Sequence, residues 1–566
     1  MRPHAAALAL LLLLALIANA GWLDSSFPLT HEFFAPVYTL ADFDTAIRDG
    51  NYLVNWLPNF AGGGQPVFNF YPPLAYYLAW LFHLAGLSFP DAIRATFIAA
   101  SFASGAAMYL LAHRMTKNPT AGFAAAAAYI FFPYHLVDSH LRGDLAESVA
   151  FVFFPLVFLF LRDAVRREDW PPAAVYGGIA FAALILSHIL MGYIFGLFVL
   201  LYAVYSIAAG AAPARRIATA FALTSATGLA LSAFYWLPAL AERQYVNFDY
   251  FTSPVLFDLQ RHYLHLSQLI LPSPWAWGGS GPGAANTMPL ALGLFSLLVL
   301  ACAIILVARR RAAHGETAFF LIAALLACFL TLDLGLPILA LLPSIEIIQF
   351  PWRFLAVAAF AIAVLAGLVT RDLLRYHRYA GALLLCLILI TSYPMAAIPG
   401  GSMGEPGDPI DPGVFGRTEY LPVRDGAAFP RLPDTGRDVL YAGDATVLEQ
   451  RSTSMTIETR ADEPLDCNVR IFFFPRWRCT IDGVETAIRM QTDGSILFSV
   501  PAGTHTVELA YADSAISLFA KALSAAGLAG AAAARLILQE ESRVLLPPTR
   551  PVSPDHIYRP PQMGQI

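Results

Sequence analysis

The stretch of sequence that decides the fold runs from Pro28 to Leu78 and reads PLTHEFFAPVYTLADFDTAIRDGNYLVNWLPNFAGGGQPVFNFYPPLAYYL. It follows the first apolar segment directly, and its ionisable side chains stand among aromatic, Pro and Gly residues: His31, Glu32, Asp42, Asp44 and Asp49. Acidic side chains so close to hydrocarbon are costly unless they are paired or functional. We therefore expect this stretch to be the first outer loop of a membrane protein and to carry its site.

The composition indicates a polytopic α-helical membrane protein. Of the 566 residues, 57% are hydrophobic and 13% are charged, and the mean hydropathy is +0.59. That is too little charge to cover a soluble globule of this size. Apolar runs long enough to span a bilayer predict about twelve transmembrane helices, at 5 to 23, 91 to 112, 120 to 136, 145 to 162, 173 to 189, 193 to 210, 217 to 240, 287 to 308, 316 to 332, 352 to 370, 380 to 398 and 515 to 538.

The short loops predict the orientation of these spans, because Lys and Arg accumulate on the cytoplasmic side. The basic residues fall on alternate loops: His113, Arg114 and Lys117; Arg162, Arg166 and Arg167; Arg215 and Arg216; Arg309 to Arg311; and Arg371, Arg375 and Arg378. Both termini are then cytoplasmic, and the loops 24–90 and 241–286 face outward together with 399–514. Counting Pro72 to Leu87 as a span would invert every later loop, so we interpret it as a juxtamembrane or re-entrant helix.

The N-terminus has a second interpretation. Arg2, the leucine-rich run after it and Ala18-Asn19-Ala20 also fit a cleavable signal peptide. Under either interpretation the loop 24–90 faces outward.

A fall in hydropathy after Pro399 marks a second domain. The chain divides into a membrane domain at 1–398, an extracytoplasmic β-sandwich at 399–514, a last span at 515–538 and a disordered cytoplasmic tail at 539–566. Alternating strand patterns with turns at Asp482-Gly483 and at Pro501 to Gly503 favour the sandwich. Cys467 and Cys479 lie in this domain, and we predict a disulfide between them, because strands paired across a turn around Pro475 could bring them close enough in an oxidising compartment.

Several motifs carry a family resemblance. The first loop, with its Gly50, Trp56-x-Pro58, Gly-rich turn and Tyr71-Pro72 pattern, resembles the first extracytoplasmic loop of the C-type (GT-C) glycosyltransferases. The motifs Arg142-Gly-x-x-x-Glu147, Gln349-Phe-Pro-Trp-Arg353 and Glu419-Tyr-Leu-Pro422 resemble a membrane family whose name refers to 6-pyruvoyl-tetrahydropterin synthase. The enzymatic part of that name carries no weight, because the three-histidine zinc site of that synthase is not recognisable in the sequence.

The C-terminal part carries a related resemblance. The stretch from Phe472 to Tyr511, followed by a last apolar helix, resembles large bacterial membrane proteins thought to glycosylate teichoic acids, which belong to the same superfamily. These resemblances imply an inverting glycosyltransferase of the cytoplasmic (inner) membrane. Its partners would be a polyprenyl-phosphate sugar donor, membrane lipid and an extracytoplasmic glycan, lipid or polymer acceptor.

Such a transfer needs a base for the acceptor hydroxyl and cations for the leaving phosphate. The resemblance implies that Glu32 is the base, with His31 beside it, and that Arg353 or Arg142 binds the phosphate. Asp24, Asp42 and Asp44 are rival bases. The alternative for all of these acids is a solvated loop, and for Arg353 it is snorkelling at the interface.

The metal requirement stays open at the level of sequence. A divalent cation is possible, and its candidate ligands, which are also candidate substrate contacts, are Asp24, Asp42, Asp44, Asp144, Glu147 and His188. Asp144 and Glu147 also suit a helix N-cap and N3 pair, and a lone His188 suits packing. The net charge of −5 and the lack of a sustained basic stretch argue against nucleic acid. A transporter or flippase of lipid-linked glycans is the rival function, because twelve spans also suit alternating access.

Overall fold

The structure is a computed structural model that describes residues 2–24, 26–32, 34–252, 259–281, 285–309, 315–343, 345–403, 410–424, 427–428 and 439–544. Its helices are α1 (Arg2–Ala18), α2 (Ala35–Arg48), α3 (Val67–Phe70), α4 (Leu74–Leu84), α5 (Phe89–Thr116), α6 (Pro119–Ile130), α7 (Pro133–Leu136), α8 (Leu145–Ala150), α9 (Phe153–Arg166), α10 (Trp170–Ser187), α11 (Ile189–Ala208), α12 (Ala214–Leu231), α13 (Ala233–Glu242), α14 (Leu266–Ile270), α15 (Leu294–Arg309), α16 (Gly315–Leu330), α17 (Leu336–Leu339), α18 (Leu355–Leu373), α19 (Ala380–Ser392) and α20 (Ala515–Val544).

Among the described residues, six helices are long and apolar enough to cross a membrane: Phe89–Thr116, Leu145–Arg166, Trp170–Ser187, Ile189–Ala208, Pro351–Leu373 and Ala515–Ala534. Two pairs of helices are bent at a short break, and each pair counts as one further span if it crosses the membrane as a unit. They are Pro119–Ile130 with Pro133–Arg142, bent by 46°, and Ala214–Leu231 with Ala233–Tyr245, bent by 71°. Five apolar helices are shorter: His4–Ala18, Leu74–Leu84, Leu294–Arg309, Gly315–Leu330 and Ala380–Ala396. The helical membrane class is confirmed, and the count of twelve spans stays a prediction.

Helix α4 has 11 residues, which at about 1.5 Å per residue is roughly half the thickness of a hydrocarbon core. This length agrees with the juxtamembrane interpretation of Pro72 to Leu87. Helix α20 continues to Val544, into the segment predicted to be disordered. The remainder of that tail, 545–566, and the basic residues Arg310 and Arg311 lie outside the described residues.

Helix α18 forms the centre of the bundle. Its sequence LAVAAFAIAVLAGLVT is apolar on every side, and every residue from 351 to 370 is buried. A helix that is hydrophobic all round belongs in the interior. It packs on α6, where a run of alanines, Ala124 to Ala128, lets the two backbones approach closely.

The two ends of the bundle differ in charge and in content. At one end the basic loops meet: Arg114 donates to Asp163 at 2.6 Å, and Arg162 donates to Glu316 at 2.8 Å. At the other end the first loop meets the turn after α7 and the start of α18. The loops predicted to share a side therefore do share an end, and the assignment of that end to the cytoplasm stays a prediction.

The C-terminal domain is built from antiparallel sheets. The strands are β1 (Phe27–Pro28), β2 (Ser402–Met403), β3 (Val423–Arg424), β4 (Ala427–Ala428), β5 (Val439–Tyr441), β6 (Asp444–Arg451), β7 (Ser454–Ala461), β8 (Leu465–Phe472), β9 (Trp477–Ile481), β10 (Val484–Thr486), β11 (Arg489–Met490), β12 (Ser495–Val500) and β13 (Gly503–Tyr511). The domain's two larger sheets have the orders β10-β9-β13-β7-β6 and β11-β12-β8-β5, while β3 pairs with β4, and β1 of the first loop pairs with β2. The buried side chains of both sheets belong to one core, which confirms the C-terminal β-sheet domain.

The disulfide predicted between Cys467 and Cys479 is wrong for this structure, which holds both as free thiols. The prediction assumed a hairpin around Pro475. The strands on either side of that turn instead join different sheets. Both side chains lie in the core, and burial raises the pKa of each thiol to about 12.

A buried polar network fixes the β-domain to the membrane domain. Arg476, in the turn between β8 and β9, donates to Glu242 at 3.0 Å and to Asn69 at 2.9 Å. Ser514, just before α20, donates to the same Glu242 at 2.6 Å. Beside it Trp56 of the first loop packs edge-on against Trp477. Removing one partner would leave a buried charge unpaired, so this network holds the two parts in one arrangement.

Candidate active site

The site begins at a break in the helical path after α6. Residues Val137–Arg142 form a turn of π-helix, and Gly143 follows with φ +70°, which ends the turn. Helix α8 then starts on Asp144, whose Oδ1 accepts from the backbone N–H of Glu147 at 2.9 Å. The capping role predicted for this pair is therefore present. Such π-turns are frequent at functional sites.

Arg142 is the centre of a buried charge cluster. Its Nη1 donates to Asp138 and, at 2.7 Å, to Oε2 of Glu147, while Nη2 donates to Oδ2 of Asp144 at 2.8 Å. The guanidinium also lies over the ring of Trp352, 5.0 Å from its centroid. The donors of Arg142 are therefore committed to three carboxylates within the protein.

Glu147 is fully buried, and two further side chains approach it. Tyr134 donates to its Oε1 at 2.6 Å. Arg353, also buried, has its Nε 3.7 Å from Oε2, too far for a hydrogen bond, while its Nη1 donates to Ile348 O at 2.8 Å and to Gln349 at 2.9 Å. Among the described residues, the Nε of Arg353 has no hydrogen-bond partner. Arg353 is thus anchored at one nitrogen and has donor capacity left at another.

His188 joins the cluster from the break between α10 and α11. Its Nε2 lies 3.9 Å from Asp144 and 4.0 Å from Glu147, so these three residues could supply metal ligands within 4.8 Å of one another. Its Nδ1 accepts from the backbone N–H of Met191 at 3.3 Å. A neutral imidazole that accepts at Nδ1 carries its proton on Nε2.

The arrangement does not fit a resident cation. The Nε2 atom that faces the carboxylates is the protonated one, whereas a metal ligand needs a lone pair there. The facing oxygens of Asp144 and Glu147 both already accept from Arg142. The cluster is that of a carboxylate network neutralised by guanidinium groups.

The first loop docks directly on this cluster. The backbone N–H of His31 donates to Leu141 O at 2.9 Å, and that of Glu32 donates to Arg142 O at 3.1 Å. A Cβ on Gly143 would lie 2.7 Å from Cβ of Thr30, so glycine is required both by the backbone angle and by the approach of the loop. The structure therefore places two predicted motifs, the first loop and Arg142-Gly-x-x-x-Glu147, in direct contact.

His31 is fixed beside Glu32 and points away from it. Its Nε2 bonds to Gly278 O at 2.9 Å, and its ring packs edge-on against Trp277. Burial lowers the pKa of His31, against the opposing effect of the Gly278 hydrogen bond. The ring of His31 is therefore held by a backbone carbonyl and an indole face.

Glu32 lies in a recess that stays open to water. Its side chain is 39% exposed, and Nη2 of Arg417 lies 3.7 Å from its Oε2. Burial among the surrounding groups raises the pKa of Glu32, Arg417 opposes this, and Asp144 and Glu419 add to the rise while Arg142 lowers it. Glu32 is thus an accessible carboxylate whose pKa is raised above that of an ordinary glutamate.

The rival acids of the first loop lie outside the cluster. Asp42 is fully buried and accepts from the backbone N–H and the side chain of Asn59. Asp44 accepts from Arg48 at 2.6 Å and from Trp80 at 3.1 Å. Asp24 accepts from the backbone N–H of Ser26 at 3.3 Å. Of the predicted site residues, the structure brings Glu32, His31, Arg142, Asp144, Glu147, His188 and Arg353 together, and it places these three elsewhere.

Arg417 lies at the site, although the sequence motifs did not predict it. It stands two positions before the Glu419-Tyr-Leu-Pro422 motif and reaches Glu32 from the segment between α19 and the β-domain. The signal that could have found it is an arginine next to a glycine and close to that motif. Asp138 and Tyr134 were also not predicted, because both lie within an apolar run that was interpreted only as a span.

The fold and this site together define a multi-span membrane protein with a charged recess at one membrane face. The chain belongs to the membrane protein family described as 6-pyruvoyl-tetrahydropterin synthase related domain, whose model matches residues 68–398. The family predicted from the motifs is therefore confirmed. No curated protein matches the chain significantly.

Two solved structures resemble the chain at low identity. One is arabinofuranosyltransferase AftD from mycobacteria, with a TM-score of 0.43 and 16% identity over 70% of this chain and 26% of that protein. The other is the oligosaccharyltransferase of Archaeoglobus fulgidus in its apo form, with a TM-score of 0.46 and 14% identity over 72% of this chain and 57% of that one. The chain thus spans about a quarter of the length of the arabinofuranosyltransferase and somewhat over half of the length of the oligosaccharyltransferase.

Proposed function

We propose that this protein is an inverting glycosyltransferase that moves a sugar from a polyprenyl-phosphate donor to a hydroxyl of an extracytoplasmic acceptor. The observation that carries the proposal is the recess at Glu32. There an accessible carboxylate with a raised pKa stands next to a buried arginine network at one membrane face. A base is most effective when its pKa lies near the working pH.

In this scheme Glu32 accepts the proton of the acceptor hydroxyl as that oxygen attacks the anomeric carbon. The bond from the anomeric carbon to the phosphate oxygen breaks, and polyprenyl phosphate leaves with the electron pair. Arg353 is better placed than Arg142 to bind that phosphate, because Arg142 is committed to three carboxylates while Arg353 keeps a free Nε. A planar guanidinium suits phosphate oxygens.

The mechanism has no step through a metal. The donor atoms of Asp144, Glu147 and His188 are occupied or protonated as described above. The negative charge of the leaving phosphate is therefore stabilised by arginine. The role proposed for this trio is to hold Arg142 and the loop that carries Glu32.

The rival function is a transporter or flippase of lipid-linked glycans. In the spans that the structure describes, Asp, Glu, Lys, Arg and His lie within about two turns of a helix end, apart from the bent piece Pro133–Arg142 that belongs to the site. A transporter is expected to place such groups near the bilayer midplane. The distribution favours chemistry at one face.

Glu32→Gln tests the proposal, because the amide keeps the shape and cannot accept a proton. We expect transfer to fall by about 10² to 10⁴-fold, the usual contribution of a positioned base, with folding and lipid binding unchanged. The measurement is sugar added to endogenous glycan in membranes, and copurifying polyprenyl phosphate is followed by mass spectrometry.

Asp24→Asn is the matched control, since it neutralises another acid of the same loop outside the recess. Near-normal product from Glu32→Gln would remove Glu32 as the base. Near-normal product when Glu32, Asp24, Asp42 and Asp44 are all neutralised would remove the transferase and leave the transporter.

A further inference from the structure

Arg417 is held in place by contacts that do not use its guanidinium. Its backbone N–H donates to Gln65 at 2.9 Å, and its carbonyl accepts from the same side chain at 2.8 Å. Two residues earlier, Phe415 O accepts from the backbone N–H of Ala61 at 2.6 Å. The guanidinium itself lies over the ring of Tyr71, 4.8 Å from the centroid. The first loop therefore fixes this side chain at the recess.

The donors of that guanidinium are largely unused. Its Nη1 reaches Glu419 at 3.5 Å, at the limit of a hydrogen bond, and its Nη2 lies 3.7 Å from Glu32, beyond that limit. Within the described part of the chain, its Nε has no hydrogen-bond partner. A guanidinium carries five N–H donors, and leaving them unmet in a largely buried position is unfavourable unless a ligand or water meets them.

Arg142 and Arg476, two other buried arginines, differ in this respect. Arg142 donates to three carboxylates, and Arg476 donates to Glu242 and Asn69 at 3.0 and 2.9 Å. Those two arginines stabilise the protein. Arg417 instead combines a fixed backbone, free donors and an accessible neighbour in Glu32, which is the combination expected of a group that meets a substrate.

The charges of the recess restrict what that substrate can be. Glu32 and Glu419 flank a single guanidinium, with side chains 39%, 12% and 13% exposed for Glu32, Glu419 and Arg417. An anionic ligand would meet two carboxylates for one cation and be repelled. A sugar hydroxyl both donates and accepts, so neighbouring hydroxyls can donate to the carboxylates while accepting from the guanidinium.

We propose that Glu32, Arg417 and Glu419 form the acceptor subsite, and that the acceptor presents an uncharged sugar ring with neighbouring hydroxyls. This inference rests on the proposed function, and it adds the class of acceptor to it. It also extends the site into the segment that joins the helices to the β-domain.

Binding of simple glycosides by the full-length protein in lipid nanodiscs tests the subsite without any donor. The probes are octyl glycosides of glucose, galactose and mannose, and the octyl glycosides of glucuronic and galacturonic acid, measured by calorimetry. We expect at least one neutral probe to bind about tenfold or more tightly than both acidic probes. Arg417→Gln and Glu419→Gln should each weaken that binding about tenfold, which corresponds to one lost charged hydrogen bond.

Arg489→Gln is the matched control, because Arg489 is an exposed arginine of the β-domain paired with Asp466 and lies outside the site. It should bind the probes as the unaltered protein does. Should Arg417→Gln fail to fold, Arg417→Lys and Glu419→Gln still test the subsite, with weaker binding expected from both.

Preference for an acidic probe, equal affinities, no binding, or unchanged binding by the folded variants would each overturn the subsite. The transfer assay is separate. Neutral-probe binding as expected without any Glu32-dependent transfer would refute the proposed function and keep a glycan-binding recess. Transfer without neutral-probe binding would refute the subsite alone.

Discussion

At the scale of the residue, the site depends on how one carboxylate is surrounded. Glu32 has a raised pKa because it is crowded by protein, and Arg417 is the largest influence that opposes the rise. The two effects leave a group that can be ionised and still accept a proton. The neighbouring His31 is bonded to Gly278 O.

The pH dependence of transfer should report this balance. A base must be deprotonated to act, so activity should fall as the pH is lowered through the raised pKa of Glu32, above the range of an ordinary glutamate. Arg417→Gln should move this acid limb to higher pH, because the group that favours the carboxylate is lost. Initial rates across the acid range measure it, with Arg489→Gln as control. An acid limb that stays in place in Arg417→Gln would contradict the assignment.

Arg353 gives a second prediction at this scale. Arg353→Lys keeps a charge but loses the planar fork, whereas Arg353→Ala loses both, so alanine should reduce transfer more. We expect alanine to cost about 10² to 10³-fold, as for other groups that stabilise developing charge. Rates of product formation at saturating acceptor measure the effect. Equal losses in the two variants would mean that Arg353 acts by shape and not by charge.

At the scale of the element, the turn Val137–Arg142 and the first loop form one unit through Gly143. The glycine is needed for two separate reasons, a positive φ and the closeness of Thr30. Its replacement therefore tests the docking of the loop apart from the chemistry of any side chain.

Gly143→Ala should destabilise the protein and also abolish most transfer, because the added Cβ pushes the first loop from Arg142. Gly210→Ala is the matched control: Gly210 has φ +61° and nothing within 4 Å of an added Cβ. The backbone angle alone costs about 1 to 2 kcal/mol in each. Thermal unfolding and transfer rate are the measurements, and a tenfold or greater loss of rate is expected in Gly143→Ala alone. Equal rates in the two variants would show that the loop does not depend on this contact.

The elements also show what a sequence can predict. Apolar runs and basic loops are local signals, so hydropathy located the helices well. Asp42 and Asp44 looked like catalytic candidates because a sequence does not display which donors a carboxylate will meet: backbone and side-chain N–H groups for Asp42, and Arg48 and Trp80 for Asp44. The pairing of Arg417 with Glu32 could not be found from the sequence, since the two residues lie far apart in the chain. The hairpin assumed around Pro475 failed because strand order cannot be read from adjacency in the sequence.

At the scale of the whole molecule, three regions meet at one end: the first loop, the turn after α7 and the segment before the β-domain. The network around Arg476 and Glu242 keeps the β-domain against this end. The other end gathers the basic loops. This polarity makes the orientation testable with single cysteines.

In a cysteine-free background, Tyr52→Cys and Leu440→Cys should react with an impermeant thiol reagent from outside, because these side chains are 72% and 54% exposed at the site end. Tyr376→Cys, 65% exposed at the basic end, should react only after the membrane is opened. The readout is labelling of intact cells against lysed cells. Labelling of Tyr376→Cys from outside would invert the topology.

The pairing of Arg417 with Glu32 also determines when the site can be completed during synthesis of the chain. At about 5 to 20 residues per second, the ribosome adds Arg417 roughly 20 to 80 s after Glu32, by which time most of the spans are already in the membrane. A nascent chain therefore carries its carboxylate for most of its synthesis without the guanidinium that faces it. The recess is completed late, when the chain that will form the β-domain begins to emerge, so an unfinished protein would hold an incomplete site.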